Sequence, residues 1–159
     1  SIRTSSPMGI RFRYSTLTSA KAEEQEYVID EIGFIVAVTD VVGEQELTLD
    51  FSKYIKGVAY NRAENKDIVF DTSDDEIDVF TCVIRNIPVA NYKTNLTCKT
   101  YTKITVDGKQ FTLYGEAVIG NVYDTAEKLL EADPENQELA KILLDYENAI
   151  GVNGGELYP

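Results

Sequence analysis

The sequence predicts an α+β fold: an antiparallel β-sandwich or curled sheet body with a C-terminal helical hairpin. Three observations carry this expectation. From Ile2 to about Gly115 apolar residues recur with a period of two, after Gly120 they recur at helical spacing, and Asp107-Gly108 joins two alternating segments as a two-residue hairpin turn.

The elements follow in chain order. In Ile10-Arg11-Phe12-Arg13-Tyr14 the alternation sends Ile10, Phe12 and Tyr14 to one face and both arginines to the other, as in a half-buried strand. Ser19 to Gln25 reads as a short helical turn capped by Ser19. Glu31 to Val38 is continuously apolar after the glutamate, the pattern of a central strand covered on both faces. Further strands are predicted at Glu46 to Asp50, Tyr54 to Tyr60, Asp67 to Phe70, Ile77 to Arg85, Leu96 to Val106 and Lys109 to Tyr114. Val122, Ala126, Leu129 and Leu130 then mark one helix face, and Leu139, Ile142, Leu143 and Tyr146 another. Asp133-Pro134 separates the two helices, with the proline at a favoured first helical position.

A chain of 159 residues is long enough for one domain with its own core, expected over residues 1–150, with residues 151–159 as a flexible tail or linker. Ser1 at the start and the glycine-rich end suggest a piece of a longer protein with covalently linked neighbouring domains. A net charge of -12 makes nucleic acid and anionic membranes poor partners, and no apolar run is long enough to insert into a bilayer. Cys82 and Cys98 lie in strands flanking the polar turn from Pro88 to Asn95. They can form one disulfide if those strands pair, or stay as two buried thiols.

With no histidine, Ser-His-Asp and Cys-His catalysis are excluded, and no phosphate-cradling glycine motif occurs. Glu31 and Glu116 are the carboxylates nearest to strand ends in apolar settings, so they are the candidates for a carboxylate-based glycoside hydrolase. The structural reading of both is favoured, and no enzyme is expected. Asp71, Asp74 and Asp75 concentrate hard oxygen ligands in a loop, which suits Ca²⁺ although the spacing is not that of a dedicated calcium loop. Arg11 and Arg13 share one strand face, where guanidinium forks can hold carboxylates or sugar hydroxyls, or simply pair with surface acids. There is no tryptophan to stack on a sugar ring, but Tyr54, Tyr60, Tyr92 and Tyr101 fall where rings can be exposed. Tyr60-Asn61-Arg62, combining ring, amide and guanidinium, is the most ligand-like cluster.

Gly9-Ile10-Arg11-Phe12, Glu31-Ile32-Gly33-Phe34-Ile35-Val36, and Tyr114-Gly115-Glu116-Ala117-Val118 leading into Val122-Tyr123-Asp124-Thr125-Ala126 come in an order and spacing that resemble an uncharacterised β-rich module. That module recurs in secreted or cell-surface multidomain proteins of Clostridia-like gut Firmicutes, and the resemblance spans about residues 2 to 130. It implies a location outside the membrane and brings no catalytic or binding residue with it. Similar modules favour small residues where this chain has Cys82 and Cys98. The expected function is a non-catalytic extracellular accessory module, serving as a structural spacer or in adhesion to a glycan or surface protein. The alternatives are a carbohydrate-binding module in the strict sense and the carboxylate glycosidase.

Overall fold

Asp107 and Gly108 both take positive φ, +50° and +76°, the backbone that a tight primed turn demands and that glycine adopts without strain. The hairpin they close pairs Val106 with Lys109 and Ile104 with Phe111. The structure, a computed structural model, describes residues 1–4, 8–62 and 76–150. Its elements are β1 (Ile2–Arg3), β2 (Gly9–Leu17), α1 (Ser19–Glu24), β3 (Val28–Val38), α2 (Thr39–Val42), β4 (Lys56–Asn61), β5 (Ile77–Arg85), a 3₁₀ turn (Val89–Asn91), β6 (Leu96–Val106), β7 (Lys109–Tyr114), β8 (Val118–Gly120), α3 (Val122–Ala132) and α4 (Gln137–Ile150). This is the predicted α+β fold, with antiparallel sheets and a C-terminal helical pair.

One sheet has the order β1-β2-β5; the other has β4-β3-β6-β7, with β8 also on β6. In the larger sheet β3 pairs antiparallel with β4, Phe34 opposite Val58 and Glu31 opposite Asn61. The chain forms two compact units, one holding Phe12–Cys82 and Thr97–Val118, the other Ser1–Arg11, Val83–Leu96 and the described residues from Ile119 on.

The first of these units is built on aromatic packing between its strands. Phe34 on β3 is fully buried and meets Tyr14 of β2 edge-on at 6.3 Å and Tyr60 of β4 at 6.5 Å. Tyr60 in turn lies 5.4 Å from Phe80 of β5. The rings come from both sheets, so within this unit the sheets face each other across a shared core, as in a sandwich. The other face of the larger sheet buries Ile35, Ala37, Val42, Leu47 and Tyr101 together. Gly33 is required there. A Cβ on it would overlap the Tyr101 ring, and that ring's hydroxyl donates to Glu31 Oε2 at 2.8 Å.

In the second unit α3 and α4 form the helical hairpin, burying Val122, Ala126, Leu139 and Ile142, with Tyr123 and Tyr146 5.0 Å apart. The Asn121 side chain caps α3 by accepting from Asp124 N at 2.7 Å.

Four sequence expectations are corrected. Thr18, not Ser19, caps α1, accepting from Lys21 N at 3.2 Å, because Thr18 keeps extended backbone while Ser19 is already helical. Pro134 sits in the turn between the helices rather than at the first helical position. Asn136 takes the capping role, its Oδ1 accepting from Leu139 N at 3.2 Å. Glu46 to Asp50 is not a strand: both edges of β3 are taken by β4 and β6, and Leu47 enters the core from a loop instead. Finally, β4 begins at Lys56 rather than Tyr54. The predicted strand at Asp67 to Phe70 and the predicted tail at 151–159 lie outside the described residues.

Candidate functional site

The alternation along β4 ends at Asn61, and the next residue, Arg62, keeps the ladder going for one more bond: its backbone N–H donates to Asp30 O at 2.9 Å. This holds the arginine at the end of the sheet with its side chain turned under cover, 5% exposed. The guanidinium lies 4.9 Å over the Phe80 ring, and its Nη2 donates to Asp78 Oδ2 in a charge-assisted bond. The other two guanidinium nitrogens, Nε and Nη1, are buried without a hydrogen-bond partner among the described residues. A covered charged donor left unmatched costs about 1–3 kcal/mol or more, so an oxygen of a ligand or of water placed against these nitrogens is bound favourably.

Arg62 lines a cleft of about 500 Å³. The cleft draws its walls from four places in the chain: Thr18, Ser19 and Glu23 of α1 and its cap, Val28, Ile29 and Asp30 at the start of β3, Asn61 and Arg62 at the end of β4, and Asp78 on β5. The bond from Thr18 N to Glu76 O, 3.0 Å, brings the α1 end against β5. Asp30 is held by Thr105 Oγ1 at 2.6 Å and Gln110 Nε2 at 3.2 Å. Three acidic residues, Glu23, Asp30 and Asp78, thus line the cleft with one arginine, together with Thr18, Ser19 and Asn61. Such a surface offers hydrogen-bond donors and acceptors side by side and carries a negative balance.

The sequence-derived candidates fare differently. Of Tyr60-Asn61-Arg62, the amide and the guanidinium reach the cleft, whereas the Tyr60 ring turns into the core and its hydroxyl donates to Thr81 O at 2.9 Å. Tyr60 and Arg62, two residues apart, both pack on Phe80, the ring inside the core and the guanidinium just past the end of the strand, while Asn61 between them is exposed. Tyr92 and Tyr101 are buried as well, which leaves Tyr54 as the exposed ring among the four named from the sequence. Arg11 is half-buried and Arg13 exposed, as the strand pattern predicts. Both are engaged in further interactions, and neither lines the cleft. Glu31 accepts from Tyr101 and pairs with Lys103 at 3.4 Å, and Glu116 is exposed. Asp71, Asp74 and Asp75 lie outside the described residues, and among the described residues no metal-ligating cluster of three or more groups occurs. Asp30, Asp78 and Thr18 carry no sequence signal linking them to Arg62. A lone charged residue just past a strand, followed by an acid two residues into the next alternating strand, was the hint available.

Compared with protein-family models, curated proteins and solved structures, the chain matches none. Among the described residues no helix is long and apolar enough to cross a membrane.

Cys82 and Cys98 are both free thiols. The strands that carry them do not form a hairpin: β5 pairs in the smaller sheet and β6 in the larger, so the bridge considered from the sequence lacks the strand pairing it assumed. Burial pushes Cys82 up to about 11, against a small lowering by Lys56. Burial, and then the neighbouring Cys82, pushes Cys98 up to about 12. The fold holds both protons more tightly than the unfolded chain does, where thiols titrate near ~8.5. That contribution is complete below about pH 8.5 and is lost as pH rises through the folded-state values of about 11 and about 12. Two outcomes are expected. Neither thiol reacts with Ellman's reagent in the native protein at about pH 8, while both react in guanidinium. The melting temperature falls progressively above about pH 9. Rapid native labelling would contradict the burial of these groups.

Proposed function

We propose that this chain is a non-catalytic, ligand-binding accessory module of an extracellular multidomain protein, and that its cleft at Arg62 takes a neutral, hydroxyl-rich glycan unit. The observation that carries the reading is a buried arginine whose Nε and Nη1 find no hydrogen-bond partner among the described residues, lining a cleft that also presents Asp30, Asp78, Asn61 and two hydroxyl side chains. A sugar hydroxyl both donates and accepts, so it suits a wall where carboxylates and a guanidinium alternate. Uronic acids suit it less, because three carboxylates outnumber the one guanidinium and the whole chain carries -12. The extracellular setting is supported by the resemblance to the surface-protein module.

Calorimetric or NMR titration with neutral and uronic-acid oligosaccharides tests it. Saturable binding of a neutral oligosaccharide is expected, weakened roughly 10–100-fold by Asn61→Ala and by Arg62→Met/Asp78→Leu, the range that follows from losing a hydrogen bond with a charged partner. Loss of binding in Arg11→Ala/Arg13→Ala, with Asn61→Ala unaffected, would move the site to β2. Failure of every glycan to bind would leave the module as a spacer or protein-contact domain.

A further inference from the structure

We propose that β7 is a pairing edge at which two copies of this chain join their five-stranded sheets into one continuous sheet. β7 is the last strand in its sheet order, and all six of its residues are exposed. Among the described strands only β6 pairs with it. Natural edge strands are shielded from this kind of pairing by charges, prolines, bulges or shortness. Lys109–Tyr114 has six residues, no proline and a single charge, at its first position.

The apolar side chains make the edge adhesive on one face. Cross-strand register places Leu113 beside Thr102 and Phe111 beside Ile104, so all four share a face of the sheet. Thr102 is buried and bonds to the Tyr14 hydroxyl of β2 at 2.6 Å, which makes this the face covered by the smaller sheet. Cover stops short of β7: Phe111 is 48% exposed and Leu113 53%. A further strand laid along β7 would cover them and pair the outer backbone groups that water otherwise satisfies.

Charge selects a second copy as that strand. Two chains of net charge -12 repel across most of their surfaces, and β7 is a stretch where the local charge is slightly positive. Lys109 stands at one end of the strand and Glu116 just beyond the other. An antiparallel pair related by a two-fold axis at Thr112 sets Phe111 of each copy opposite Leu113 of the other. The same pairing sets Lys109 opposite Gly115, beside Glu116 of the other copy. The facing ends therefore carry opposite charges, and the apolar pair is made twice.

Sedimentation equilibrium from about 1 to 500 μM, together with hydrogen exchange at both extremes, tests the proposal. A reversible dimer is expected, with β7 amides protected at high concentration. Leu113→Lys and Phe111→Lys are expected to weaken the dimer at least about tenfold. Both sites are half-exposed, so unchanged melting curves will show that the variants fold. Lys109→Glu is expected to weaken the dimer and Lys109→Glu/Glu116→Lys to restore it, a rescue that a non-specific apolar contact would not give. A monomer at every concentration, a dimer indifferent to Leu113→Lys, or a dimer whose β7 amides exchange as in the monomer would each overturn the proposal.

Discussion

Asp78→Ala will lower the unfolding free energy by about 3–5 kcal/mol, the loss expected when one partner of a buried ion pair is removed. Arg62 is 7% exposed and Asp78 supplies its hydrogen-bonded counter-charge. Without that carboxylate the guanidinium stays under cover with its Nη2 bond lost and, among the described residues, no partner for Nε or Nη1. The charge is then stranded in a medium that solvates it poorly. Arg62→Met/Asp78→Leu removes both charges while keeping the volume apolar, and is expected to lie within about 1 kcal/mol of the parent or above it. Urea denaturation of the two variants measures the contrast. A loss under about 1 kcal/mol for Asp78→Ala would mean that water reaches the pair far more freely than its burial implies. A stable double variant that no longer binds glycan would show that the Arg62–Asp78 pair serves recognition rather than folding.

Phe34→Ala is the second large effect, at about 3–5 kcal/mol, against a total of roughly 5–15 for a typical domain. The ring is wholly buried, with Tyr14 and Tyr60 each edge-on to it, so truncation removes apolar burial, two aromatic contacts and the filling of the space between the sheets. Near-UV circular dichroism adds a specific readout, since both tyrosines lose the asymmetric neighbour that orders them. Phe111→Ala provides the contrast. Its ring is about half exposed, and its removal is expected to change the stability of the monomer by no more than about 0.5 kcal/mol. Similar losses at the two positions would contradict a core centred on Phe34.

Fold class was legible because the signals that set it are local. Alternation along Ile77–Arg85, Leu96–Val106 and Lys109–Tyr114 yields strand boundaries that agree with the structure, and Asp107-Gly108 supplies the turn that joins the last two. Helical spacing after Gly120 likewise marks the C-terminal pair. Boundaries set by a single hydrogen bond were harder: Thr18 and Ser19 are both able to cap, and only the backbone conformation decides between them. The site was legible in part. Asn61 and Arg62 stood out as a polar pair at a strand end, but nothing near them in sequence names Thr18, Asp30 or Asp78 as cleft neighbours.

Most strands and both C-terminal helices, the apolar face of each, and the absence of histidine-based chemistry are thus written in the order of the residues. Those properties follow from backbone period and residue type, which act over a few residues. Other features exist only once the chain is folded: β5 and β6 join different sheets and keep their cysteines as separate thiols, the Tyr60 ring points inward while Arg62 lines a cleft, and β7 ends the larger sheet at an open edge among the described strands. Each of these depends on which distant segment supplies the neighbouring strand, and pairing between distant segments is settled by the packing of the whole core rather than by any local preference.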